Sequence, residues 1–113
     1  MFNIDDDNNI TLTRGDTAKI YLTVVDSEGN EYDFSNDLTQ LTVKRNTVTE
    51  DIIFQKTFTG SLITIEPEDT KDLRYTDLKY DVQLITSGDE VYTVIPPRLF
   101  TIAEEVNFNV SNT

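Results

Sequence analysis

An all-β domain is what this sequence predicts: seven to nine short antiparallel strands forming a sandwich or a small barrel. Two observations carry that expectation. Apolar and polar residues alternate with a period of two in segment after segment, and the glycines fall in the breaks between those segments. A third observation limits it, since only one stretch has the marks of a helical turn.

Strands are expected at about 9–13, 17–25, 38–45, 51–58, 61–66, 79–86, 90–95 and 98–103, with a short extended piece near 31–34. Ala18, Ile20, Leu22 and Val24 fall on one face, with Lys19, Tyr21 and Thr23 on the other. Leu41 and Val43 alternate with Thr42 and Lys44, and Tyr80, Val82 and Leu84 with Asp81 and Gln83. Phe54 and Phe58 share a face with Ile52 on the same count. Such segments, rich in Ile, Val, Thr, Tyr and Phe, suit half-buried pleated strands.

Gly15, Gly29, Gly60 and Gly88 lie at the breaks, where a left-handed backbone is often needed, and the last three mark hairpin loops. Glu66-Pro67-Glu68-Asp69 places a proline at a first helical position with acids in the first turn, predicting one short helical turn over 67–73. Pro96-Pro97 donates no ladder hydrogen bonds and belongs at a bend or an edge. The organisation expected is a polar N-terminal tail at 1–8, a β-domain at 9–106 and a polar tail at 107–113, both tails being disordered or ordered only against a neighbour.

Bulk properties bound the function. A chain of 113 residues is one domain on the usual length scale and buries roughly 65% of its unfolded surface. The longest apolar runs, such as Ile52-Ile53-Phe54, are too short to span a membrane, and Met1-Phe2-Asn3-Ile4-Asp5 has no signal-peptide character. Nine basic and twenty-one acidic residues give a formal charge of −12, which repels phosphate backbones and anionic membrane surfaces, so neither nucleic acid nor membrane is an expected partner. Cysteine, histidine and tryptophan are absent. That removes disulfides, the usual zinc, iron and copper ligands and any histidine-activated nucleophile, so no catalytic residue, cofactor or metal site is expected.

Several patterns still merit weighing. Arg14-Gly15-Asp16 spells an integrin-binding tripeptide, yet a tight turn needs the same residues for backbone reasons. Asp5-Asp6-Asp7-Asn8-Asn9 and Asp26-Ser27-Glu28-Gly29-Asn30 offer oxygen ligands without the spacing of a calcium loop. Glu66/Glu68 and Asp69/Asp72 are carboxylate pairs of the kind so acidic a chain produces by chance. Asn9-Ile10-Thr11 and Asn109-Val110-Ser111 match the glycosylation sequon. Tyr21, Tyr32, Tyr75 and Tyr92 are candidates for exposed contact residues, against the plainer expectation of cross-strand packing.

Taken in order, Ile10-Thr11-Leu12-Thr13-Arg14-Gly15-Asp16-Thr17, Asp26-Ser27-Glu28-Gly29, Ile65-Glu66-Pro67-Glu68-Asp69-Thr70, Tyr80-Asp81-Val82-Gln83-Leu84, Tyr92-Thr93-Val94-Ile95 and Phe100-Thr101-Ile102 resemble the small immunoglobulin-like β-sandwich domains of tailed phages and prophages of Gram-positive bacteria. The N-terminal domain of the phage baseplate upper protein is similar. The resemblance spans about residues 9–106 and implies an immunoglobulin-like antiparallel sandwich, within which Asp77-Leu78-Lys79-Tyr80-Asp81-Val82 resembles a tyrosine corner. It implies a virion structural protein of tail, baseplate or capsid, made in the host cytoplasm, which contacts other virion proteins and self-associates into a ring. A carbohydrate- or cell-surface-binding module is the alternative that the tyrosines and acidic loops raise.

Overall fold

A computed structural model describes residues 2–104. Its eight strands are β1 (Phe2–Ile4), β2 (Ile10–Thr13), β3 (Ala18–Tyr21), β4 (Leu38–Lys44), β5 (Ile52–Thr59), β6 (Leu62–Ile65), β7 (Thr76–Ile85) and β8 (Val91–Ala103). A single helical turn, α1 (Pro67–Thr70), joins β6 to β7 where the proline and the acids predicted one.

Six strands form one sheet in the order β1-β2-β8-β7-β4-β5, and β3 pairs with β6 in a second. The expectation of a wholly antiparallel arrangement needs correcting. β2 runs parallel to β8, with Ile10 opposite Phe100 and Thr13 opposite Ala103, which makes the large sheet mixed. Parallel neighbours need a long connection, and here nearly the whole chain lies between them.

Both sheets contribute to one core. Ala18, Ile20, Ile63 and Ile65 of the small sheet pack with Leu12, Leu41, Val43, Val82, Phe100 and Ile102 of the large one. Phe100 meets the rings of Phe54 and Tyr80 edge to face, with centroids 6.0 and 5.9 Å away. Such pairs add about 0.5–1.5 kcal/mol each beyond the area they bury.

The alternation holds for Ala18 to Val24: Ala18 and Ile20 are buried, Leu22 and Val24 half-buried, and Lys19, Tyr21 and Thr23 exposed. It fails at Ile52. The β4–β5 register shifts beside Val43, so that one extra β5 residue is accommodated between Ile52 and Phe54. A bulge of this kind turns the chain over; Ile52 is consequently exposed while Ile53 and Phe54 are half-buried.

The two strands expected at 90–95 and 98–103 are one long strand. Pro96 and Pro97 sit at its register shifts, opposite Asp81 of β7, where missing N–H donors cost nothing in the ladder. The piece near 31–34 makes only an isolated bridge, Val25 with Glu31. Within the stretch expected as a polar tail, Phe2 to Ile4 pair with Leu12 to Ile10 as an edge strand. Glu105, Val106 and the tail at 107–113 lie outside the described residues.

Tyr80 departs from a tyrosine corner in an informative way. Its hydroxyl donates to the carbonyl of Asn8 at 2.5 Å, seventy-two residues upstream, instead of to nearby backbone. The bond therefore ties β7 to the loop that follows β1. Burial pushes the phenol up to about 12, with the nearby Arg98 opposing the shift.

Candidate interaction surface

Three loops that looked chemically suggestive, or merely flexible, are one turn built three times. In residues 5–9, 26–30 and 86–90 the first N–H donates to the carbonyl of the fifth residue at 2.8–3.0 Å. The fourth residue's N–H returns to the first carbonyl at 2.9–3.0 Å. The fourth residue carries the left-handed backbone, at φ +66° for Asn8, +85° for Gly29 and +65° for Asp89. Gly88, expected to fill that role in the third loop, yields it to Asp89. Asp and Asn tolerate the left-handed region because their short polar side chains bond locally.

A side-chain oxygen at the first position completes each turn. Asp5 Oδ1 accepts the N–H groups of Asp7 and Asn9, both at 2.9 Å, and Asp26 Oδ1 accepts those of Glu28 and Asn30 at 2.8 and 3.0 Å. Thr86 Oγ1 accepts the N–H of Glu90 at 3.1 Å. The carboxylates that resembled cation ligands thus serve as turn acceptors. Among the described residues no group of three or more acids could hold a metal ion.

These bonds favour the charged carboxylate. The Asn9 N–H above all holds Asp5 below the ordinary aspartate value of 3.8, and the Asn30 N–H does the same for Asp26. A depressed folded pKa contributes stability that is fully present above the unfolded value and lost as pH falls through the lower folded one. In an NMR titration the Asn9 and Asn30 amide protons should therefore lose their downfield position with midpoints below 3.8. A transition centred above the ordinary aspartate value would contradict this geometry.

Arg14-Gly15-Asp16 is likewise occupied. The Arg14 guanidinium donates to the Leu73 carbonyl at 3.0 Å and the Gly15 N–H to Thr70 Oγ1 at 2.8 Å. Gly15 has φ +82°, and the Asp16 N–H closes the turn on the Thr13 carbonyl. The tripeptide fastens the β2–β3 turn to buried Thr70 and the segment after α1. Of the acid pairs, Asp69 accepts both the Glu66 N–H and the Lys56 ammonium, each at 2.7 Å. The Asn9 amide reaches Asp5, and its Oδ1 accepts the Leu99 N–H at 3.0 Å. The second sequon, at Asn109, lies outside the described residues.

All four singled-out tyrosines are exposed. Tyr21 is on the small sheet and Tyr92 on the large one, Tyr75 stands just before β7, and Tyr32 lies in the loop preceding β4. Asp81, pushed up by burial, borders a hollow of about 90 Å³ with Lys44 and Lys79, far smaller than the several hundred Å³ of a typical ligand site.

What stands out is a mismatch between the sheets. Six strands are about 29 Å wide and two about 10 Å, so the large sheet overhangs the small one. Beyond β5 the overhang meets α1. Lys56 projects from the same face as Phe54 and Phe58, pairs with Asp69 of α1 and lies 5.8 Å from the Phe58 ring centre. Beyond β1 no element closes it among the described residues. Phe2 and Ile4 of β1, Val94 and Ile95 of β8, and Ile20 and Leu22 at β3 line an open groove of about 450 Å³.

The groove also carries a strand edge that no other strand pairs among the described residues. The Leu22 N–H donates to Ser61 at 2.9 Å, so Leu22 and, alternately, Ile20 and Ala18 face β6. The N–H and C=O groups of Lys19, Tyr21 and Thr23 therefore point to the open side. The tripeptide Phe2-Asn3-Ile4 does alternate, which is the one trace of this surface in the sequence, but three residues are too short a period to read.

Comparison with protein-family models, with characterised proteins and with solved structures finds no match.

Proposed function

We propose that the protein is a non-catalytic assembly module of a tailed-phage or prophage particle, an accessory subunit of tail, baseplate or capsid acting through protein–protein contacts. The observation that carries this reading is the open β1–β3 flank, where apolar side chains lie beside a strand edge that no described strand pairs. Such an edge is a template for another strand, and soluble proteins usually cover or charge it. On the opposite flank the Lys56–Asp69 pair ties α1 to β5.

An immunoglobulin-like topology belongs to the same reading. The pair β3–β6 takes the place of strands B and E, and β4, β5, β7 and β8 take the places of C, C′, F and G, with β2 beside the last of these. What supports a non-catalytic role is that the acids and the arginine that looked reactive are engaged by backbone groups. The chain would be made in the bacterial cytoplasm, enter the virion, and meet other virion proteins or further copies of itself.

Mass spectrometry of virions purified after prophage induction, with copies of this chain counted per particle, tests the proposal. A fixed copy number is expected, and it would name the ring or lattice. Absence of the chain from purified particles would sink the reading.

A further inference from the structure

We infer that the open groove receives the segment Val106-Asn107-Phe108-Asn109-Val110 of a second copy of this chain, added as a strand beside β3. The inference rests on the assembly reading and gives it an occupant.

Two observations select that segment. Though polar overall, it places Val106, Phe108 and Val110 at alternate positions, with Asn107 and Asn109 between them. A strand seated on Lys19, Tyr21 and Thr23 would turn one side chain in two into the groove, toward Phe2, Ile4 and Val94, and the other to solvent. The segment is also neutral. Every charged residue of this chain, nine basic and twenty-one acidic, precedes residue 106. Two copies that each carry −12 repel one another, and an uncharged strand adds nothing to that repulsion where it docks.

Chain geometry makes the acceptor a second copy. Ala103 pairs with Thr13, and its carbonyl accepts the Arg14 N–H at 2.7 Å, so the chain leaves β8 beside the β2–β3 turn. β1, whose side chains form the groove's outer wall, is two strands from β8, or about 10 Å, and the second layer is about 10 Å further. The three Cα steps from Ala103 to Val106 span at most about 11 Å, against the roughly 14 Å that these two offsets make together. They cannot carry Val106 past β2 and β1 to the start of its own groove, whereas a neighbouring molecule meets no such limit. Donated head to tail, the strand builds a ring or filament; exchanged reciprocally, it builds a two-fold dimer.

The native chain has no cysteine, so single cysteines report contacts cleanly. Chains carrying Tyr21→Cys are mixed with chains carrying Asn107→Cys or Asn109→Cys and oxidised. Tyr21 and the asparagines would share the solvent face of the added strand pair, within disulfide reach. A mixed disulfide dimer from at least one pairing is the expected product. No mixed dimer from either pairing, or an intrachain disulfide when both cysteines are placed in one dilute chain, would overturn the inference. In parallel, full-length Phe108→Asp should sediment as a monomer while keeping the wild-type far-UV circular dichroism spectrum, its urea midpoint falling only at concentrations where wild type is oligomeric. A variant that remains as oligomeric as wild type would overturn the inference but leave the assembly reading intact if the chain is still counted in virions. Cross-linking in a chain absent from virions would do the reverse.

Discussion

Phe100→Ala is expected to cost about 3–5 kcal/mol, the largest loss of any single truncation in this chain. Phe100 is 0% exposed and sits at the meeting point of the fold. It pairs with Ile10 across the parallel junction and with Leu78 across the antiparallel one, and it packs edge to face on Phe54 and Tyr80. Removing the ring leaves a cavity whose walls come from three strands of one sheet and from the sheet opposite, so it cannot collapse onto any one neighbour. Domains of this size have only about 5–15 kcal/mol in total. Urea unfolding should therefore show a midpoint reduced by a third or more with the slope unchanged. Phe100→Leu, which keeps most of the volume, should lose about 1–2 kcal/mol. Tyr21→Ala, at a site 72% exposed on the groove's edge, should stay within about 0.5 kcal/mol of wild type. A Phe100→Ala loss no larger than that of Tyr21→Ala would contradict the packing described.

How much of this was legible beforehand differs with the kind of fact. The face assignments of Ala18 to Val24 and Tyr80 to Leu84 followed from alternation, because side-chain direction in a strand is a local property. Ile52 defeated the same reasoning, since a bulge is set by the partner strand's register and leaves no local mark. Asn8 and Asp89 took left-handed positions that a search for glycine overlooks. The parallel β2–β8 pairing joins residues about ninety positions apart and could not be read locally at all. The candidate surface lies deepest in that last category. It arises because six strands pair on one side of the core and two on the other, and no residue signals a difference in width. The turns and the Arg14-Gly15-Asp16 tripeptide, by contrast, were legible as backbone devices, because Asx turns and left-handed glycines are specified within five residues.

Asp37 is a deeply buried carboxylate, and its replacement should have the second-largest effect. It is 4% exposed, and a carboxylate at that depth invites a reading as a general base. Its surroundings argue otherwise. One oxygen accepts the Tyr32 hydroxyl and the other the Ser87 N–H at 3.2 Å, while its own carbonyl accepts the Gly60 N–H at 3.1 Å. The residue lashes together three connections at one end of the domain: the loop before β4, the β5–β6 turn and the β7–β8 turn. The bond to Asp37, above all, raises the Tyr32 phenol, which fits a donor that keeps its proton. Asp37→Ala strands the Ser87 N–H and frees Tyr32 to water, so the expected loss is about 2–4 kcal/mol. Asp37→Asn should lose part of that amount, because its Oδ1 can still accept the Ser87 N–H while its NH₂ donates to the Tyr32 oxygen, but both bonds lose the carboxylate's charge. A double-mutant cycle with Tyr32→Phe should return a coupling of about 1 kcal/mol or more. Hydrogen exchange at the Ser87 amide should accelerate in both Asp37 variants by more than the change in global stability explains. If Asp37→Ala unfolds in urea within about 0.5 kcal/mol of wild type, the carboxylate is not the anchor of these loops, and a chemical role for it would have to be reopened.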